Sequence, residues 1–165
     1  MPRFALYVLV ASLLAAAWYI DATTAVLPER VATHFGGGGR PNGWMMRDGY
    51  RMFILLFVTL LPLFMVLMAG GMPRLFPNAT NIPNRHHWMA PERREEALRF
   101  LAAHACWLGW LMVVFIVGIH VLLLQANHSD PVRLPERPFF IMLGGFVLGL
   151  AVWIVVLLRR FRRPA

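Results

Sequence analysis

The chain has 165 residues, 59% of them hydrophobic and only 15% charged, with a mean hydropathy of +0.59. That apolar share exceeds the usual content of a water-soluble domain and excludes a conventional soluble fold. The formal charge of +8 comes from arginine alone, spread through loops and termini with no basic, aromatic-interleaved face. This argues against nucleic acid and for a basic rim meeting anionic lipid headgroups.

Four apolar stretches follow one another, at about Phe4–Ile20, Met52–Ala69, Phe100–Gln125 and Phe139–Leu158. At about 1.5 Å per helical residue each reaches across a hydrocarbon core about 30 Å thick, the first at the short limit. Continuous apolar runs without strand alternation predict helices, because lipid leaves backbone groups no other partner. The expected fold is all-α: an integral membrane four-helix bundle forming a single transmembrane domain over residues 1–165.

The first stretch also resembles a signal peptide, with Arg3 before it and Ala15-Ala16-Ala17 near its end. Trp18, Tyr19 and Asp21 favour a retained span, since they mark an aromatic belt and an exit to water. Next comes Leu27-Pro28-Glu29, which reads as the start of a short interfacial helix with Val31 and Phe35 on one face. Gly36 to Gly39 would stop that helix, Pro41-Asn42-Gly43 would form a turn, and Trp44 would return the chain to the interface. Asp48 is placed to cap the second span, which Pro62 should kink, with Thr59 one turn earlier able to help satisfy a freed carbonyl.

The second loop carries Asn81-Ile82-Pro83-Asn84, His86-His87 and Trp88-Met89-Ala90-Pro91-Glu92-Arg93-Arg94. Pro91 and Glu92 predict a helix start leading into the third span, and Glu95 with Arg99 forms an i,i+4 pair. In the fourth span Gly145 and Gly149 make a small-residue stripe for helix packing, either within the bundle, the favoured reading, or in an oligomer. Ala11 and Ala15 are a weaker version in the first span.

Arg159, Arg160, Arg162 and Arg163 follow the last span directly and resist translocation. With four spans this puts both termini and the second loop in the cytoplasm, with ten arginines on that side and six on the other.

The two loops together carry a resemblance. Leu27-Pro28, His34-Phe35, the glycines through Gly39, and Pro41-Asn42-Gly43-Trp44 resemble the first motif of DUF1648, a bacterial membrane domain of unknown function. Asn81, Pro83, Trp88, Pro91, Glu92 and Arg93 fall in a segment similar to the second motif of those proteins, so residues 22–101 resemble the family domain. That domain is the amino-terminal half of SdpI-type proteins, whose namesake protects its producer against a secreted peptide toxin and helps signal its presence. The resemblance implies a bacterial inner-membrane protein whose motif loops bind a peptide or a membrane-protein partner. Asn42 replaces the more usual aspartate, and SdpI-type proteins carry further spans beyond four, so the half tied to immunity is expected to lie outside this chain.

The six histidines divide into His34, His120 and His128 on one side and His86, His87 and His104 on the other. Without His-Glu-x-x-His, Cys-x-x-Cys or a carboxylate within a span, no metal or other cofactor is expected. His104 and His120 are read as neutral side chains near the two interfaces bonded to loops; the sharper alternative packs His34 near His120. No catalytic residue is expected, since Cys106 has no charged neighbour in sequence and the span centres are apolar. The leading expectation is a non-enzymatic membrane protein that contacts its partner through the motif loops. The alternatives are an accessory subunit of a larger membrane enzyme and a metal-dependent membrane enzyme.

Overall fold

The computed structural model describes residues 2–162. Arg163 of the carboxy-terminal cluster therefore lies outside the described residues. Most of the chain is helical, and four helices are long and apolar enough to cross a membrane. They are α1 (Pro2–Thr24), α2 (Arg47–Val66, continued through Leu75), α5 (Pro91–Asn127) and α6 (Glu136–Arg162). The short helix α3 (Met72–Leu75) forms the end of that second crossing helix, and α4 (Arg85–Trp88) belongs to the second loop. The chain is a multi-pass helical bundle, as its continuous apolar runs require in lipid.

α5 is the central element. It packs against α1, α2 and α6 in turn, and its buried face carries Leu101, Ala105, Leu108, Val113, Ile116 and Leu123. Small residues set the close approaches. A Cβ at Gly109 would stand 2.8 Å from Val66 and 3.2 Å from Leu9, so α1, α2 and α5 converge on this glycine. Hydrophobic attraction between helices is weak in lipid, which leaves such tight packing to hold the bundle. α2 runs through the buried Pro62 without ending. Its widened π-turn comes later, at Leu67–Gly71, where a Cβ on Gly70 would lie 2.9 Å from Ala105.

At about 1.5 Å per residue α5 is about 55 Å long, so it exceeds the hydrocarbon core. Its first turns, from Pro91 and Glu92, extend past the core beside α6. Phe4 lies 6.2 Å from Trp107, and Phe161 meets Trp88 at 5.6 Å. Both ends of the described chain therefore share one end of the bundle with the second loop. The first loop occupies the opposite end.

The first loop is not a helix. Residues Arg30–Phe35 (β1) and Pro41–Met46 (β2) pair antiparallel as a hairpin, and the chain reverses at Gly36–Arg40. Gly38 and Gly39 adopt φ of +70° and +69°, which a residue with a Cβ rarely takes. Pro41-Asn42-Gly43 consequently belongs to β2 and is not the turn. Register slips by one residue at Thr33 and slips back at Asn42, since Ala32 faces Trp44, His34 faces Gly43 and Phe35 faces Pro41. Such bulges re-aim side chains.

Two local expectations also fail. Met46, not Asp48, precedes the first turn of α2, and no side chain caps it. Arg99 donates from Nε to the Glu95 backbone carbonyl at 3.3 Å, while the Glu95 carboxylate pairs with Arg74 at 3.0 Å.

Candidate partner-binding surface

The hairpin is fixed from below by one side chain. Asn127, on the last turn of α5, accepts the Ala32 N–H on Oδ1 at 2.8 Å and donates from Nδ2 to the Ala32 carbonyl at 3.0 Å. Ala32 is fully buried, so these two bonds stand where a neighbouring strand would otherwise be needed. The tip is held as well. Leu134 donates its N–H to the Gly39 carbonyl at 2.9 Å, and Arg133 donates from Nε to the Gly38 carbonyl at 2.7 Å. A Cβ on Gly39 would sit 2.4 Å from the Leu134 oxygen, so only glycine lets the linker approach this closely. At the base, Arg47 donates its N–H to the Glu29 carbonyl at 2.9 Å.

On this braced hairpin His34, Asn42 and Trp44 remain exposed, and Phe35 and Pro41 are half-buried. Gly43 lets the strands close on His34, because a Cβ there would lie 2.8 Å from the His34 Cβ. Arg30 places its guanidinium 5.9 Å from the Trp44 ring, a favourable cation–π position. A cavity of about 310 Å³ opens beside the hairpin, lined by His34, Phe35 and Gly39 together with Ile119, Glu136 and Phe139.

Beneath the hairpin lies a polar knot absent from the sequence reading. His120 is fully buried, and Nδ1 is 2.7 Å from the Tyr50 hydroxyl while Nε2 is 2.8 Å from Thr23 Oγ1. The Tyr50 ring stacks on the imidazole at 5.8 Å, and Tyr19 meets it edge-on at 6.0 Å. His120 therefore ties α1 and α2 to α5, and its partners are span residues rather than loops. His104 follows the same rule: Nε2 lies 3.0 Å from the Trp153 carbonyl, and Trp153 donates its indole N–H to the His104 carbonyl at 2.8 Å.

The second motif builds a different site at the other end of the bundle. Trp88 is buried and donates Nε1–H to the Phe161 carbonyl at 3.2 Å, with Arg160 stacked at 4.3 Å. Asn84 Nδ2 reaches the carbonyls of Phe161 and Arg162, each at 2.8 Å. The loop thus anchors the end of α6. Asn81, Pro91 and Glu92 stay exposed, and Pro83 and Arg93 are half-buried. The structure separates the two motifs by the whole depth of the bundle, so their residues do not form a single surface.

Gly145 faces open space, whereas a Cβ on Gly149 would meet Leu111 at 3.0 Å. The stripe divides: Gly149 packs on α5 and Gly145 points away from the bundle. Among the described residues no three His, Cys, Asp or Glu side chains gather in a metal-binding arrangement.

Residues 7–60 match the family model of DUF1648, a domain of unknown function. The matched segment covers most of α1, the whole hairpin and most of α2. The second motif, at 81–94, lies beyond it. No curated protein and no solved structure matches the chain.

Proposed function

We propose that this is a non-enzymatic membrane protein that binds a peptide or a membrane-protein partner through the hairpin. One observation carries the reading: His34, Asn42 and Trp44 stand exposed on a hairpin that Asn127, Arg133 and Leu134 hold rigid. A surface fixed before binding loses little entropy when a partner docks, and an exposed indole such as that of Trp44 is a strong contact maker. The resemblance of both motifs to SdpI-type proteins supports an immunity or signalling role against a peptide toxin, and the DUF1648 match covers the same hairpin. That resemblance also supports a bacterial inner membrane as the location.

The reading includes an orientation. Nine described arginines lie at the end of the bundle that holds the second loop and both chain ends, against six at the hairpin end. Such asymmetry favours the richer side as cytoplasmic. The hairpin would then face outward, where a secreted peptide arrives. Cross-linking in intact cells tests the role: His34→Ala and Trp44→Ala lose the captured partner while the protein still inserts. Unchanged capture by both variants overturns it.

A second reading, an accessory subunit of a larger membrane complex, rests on α6. Its outward face is unpartnered along the bundle, and Gly144 and Gly145 open onto empty space. Native mass measurement after gentle extraction separates the two: a stoichiometric complex lost in Gly145→Ile favours the subunit.

A further inference from the structure

We propose that the crevice between α2, α5 and α6 holds an acyl chain of a membrane glycerolipid from the hairpin-side leaflet, with its ester linkage beside Thr33 and His34. This stands independently of the partner reading, which rests on the exposed surface of the hairpin.

The crevice is about 440 Å³ and almost wholly apolar, walled by Phe53 and Phe57 of α2 and by Phe115 and Phe146, whose rings stack at 4.3 Å. It opens sideways between membrane-spanning helices, so its surroundings are hydrocarbon rather than water. Its length selects the occupant. From Tyr50 to Leu61 it follows α2 for about 16 Å at about 1.5 Å per residue. That is one leaflet of a core about 30 Å thick. A transmembrane helix from a partner would need twice this run. Below Phe146 the crevice closes, because α6 settles on α5 where Gly149 meets Leu111.

The interfacial end is polar. β1 roofs the crevice with Thr33 and His34, and Thr33 Oγ1 is buried with no hydrogen-bond partner among the described residues. A buried hydroxyl left unpaired is costly, so the site suits something that supplies a partner. Thr33 is where the strand register slips, the feature that turns its side chain out of the ladder. An ester carbonyl is the acceptor such a hydroxyl would meet at this depth. The crevice also adjoins the cavity of about 310 Å³ beside the hairpin, since Thr33, His34, Ile119 and Leu123 line both. Gly36, Gly37 and Glu136 line that upper chamber, which suits a polar head group.

The test uses the full chain in nanodiscs of phosphatidylethanolamine and phosphatidylglycerol, doped with phosphatidylcholine bearing a diazirine early or at the end of its acyl chain. Photolabelled residues are mapped by mass spectrometry. The early probe should mark Thr33, His34 and Ile119, and the terminal probe Leu61 and Met112. Ile119→Trp, which fills the crevice, should lose both sets, while Leu14→Trp on the lipid-facing side of α1 keeps them. Thr33→Val, which needs no repacking, should lose the early label and retain the terminal one. Labelling spread equally over Val10 and Leu14, equal depth for both probes, or a co-purified polypeptide cross-linked in the crevice would overturn the proposal.

Discussion

The carboxamide of Asn127 occupies both backbone groups of Ala32, a residue 95 positions away in sequence, and so attaches the hairpin to the end of α5. Removing it leaves a buried N–H and a buried carbonyl without partners. Asn127→Ala should therefore cost about 1–3 kcal/mol, the penalty for such groups. Hydrogen exchange should rise at Ala32 and its neighbours on β1 before the bundle melts. Asn127→Asp sets a carboxylate oxygen against the Ala32 and Leu123 carbonyls, so its exchange at β1 should rise at least as far as in the alanine variant. Equal exchange in all three proteins would mean that the hairpin is held elsewhere.

The His120 knot makes a prediction about coupling. Tyr50→Phe and Thr23→Val each remove one bond to the same buried imidazole. Polar contacts between transmembrane helices are modest, about 0.6 kcal/mol on average and about 1.7 at most. Each single variant should lower the melting temperature in detergent. The double variant should depart from the sum of the two, because both bonds, one on each nitrogen, restrain the same ring and losing either loosens it for the other. Strict additivity would show that the two bonds act separately.

The bundle was readable in the chain while the hairpin was not, and the reason is the range of the forces involved. A run such as Phe139–Leu158 declares itself locally, since lipid demands internal hydrogen bonding and apolar side chains over one continuous stretch. Pro28, Glu29, Val31 and Phe35 also declare something locally, a helix start with four-residue spacing, and that signal is misleading. What decides between helix and strand is Asn127, together with the Gly39 contact to Leu134, and neither adjoins the segment in sequence. The same distance hid the His120 partners, which are 70 and 97 positions away. The motif residues could be listed from the chain, but only the fold separates buried Trp88, which anchors α6, from exposed Trp44.

Gly37 and Gly39, two positions apart at the hairpin tip, face opposite demands. Gly39 has φ of +69° and would drive a Cβ to 2.4 Å from the Leu134 oxygen, whereas a Cβ on Gly37 meets nothing within 4 Å. Gly39→Ala should release the tip from the linker ahead of α6 and expose the hairpin to limited proteolysis. Gly37→Ala should cleave like the wild type. Comparable protection in both variants would contradict the packing of the linker on the tip.

The glycines inside the membrane divide in the same way, and the division tests what α6 is for. At Gly109 a Cβ would press on Val66 and Leu9, so α1 and α2 must both move to admit it. Gly109→Ala should destabilise the bundle by about 1–3 kcal/mol, the range for overpacking a tight interior. At Gly145 the same methyl group enters open space. Gly145→Ala should change the stability of the isolated chain by no more than a surface substitution does, about 0.5 kcal/mol in either direction. If the Gly145 face meets another helix in the membrane, the bulkier Gly145→Ile should still melt like the wild type when alone and yet lose the associated chain in native mass measurement. A Gly145→Ile protein that melts early as a lone chain would show instead that this face is packed within the bundle, and the subunit reading would lose the glycine surface it rests on.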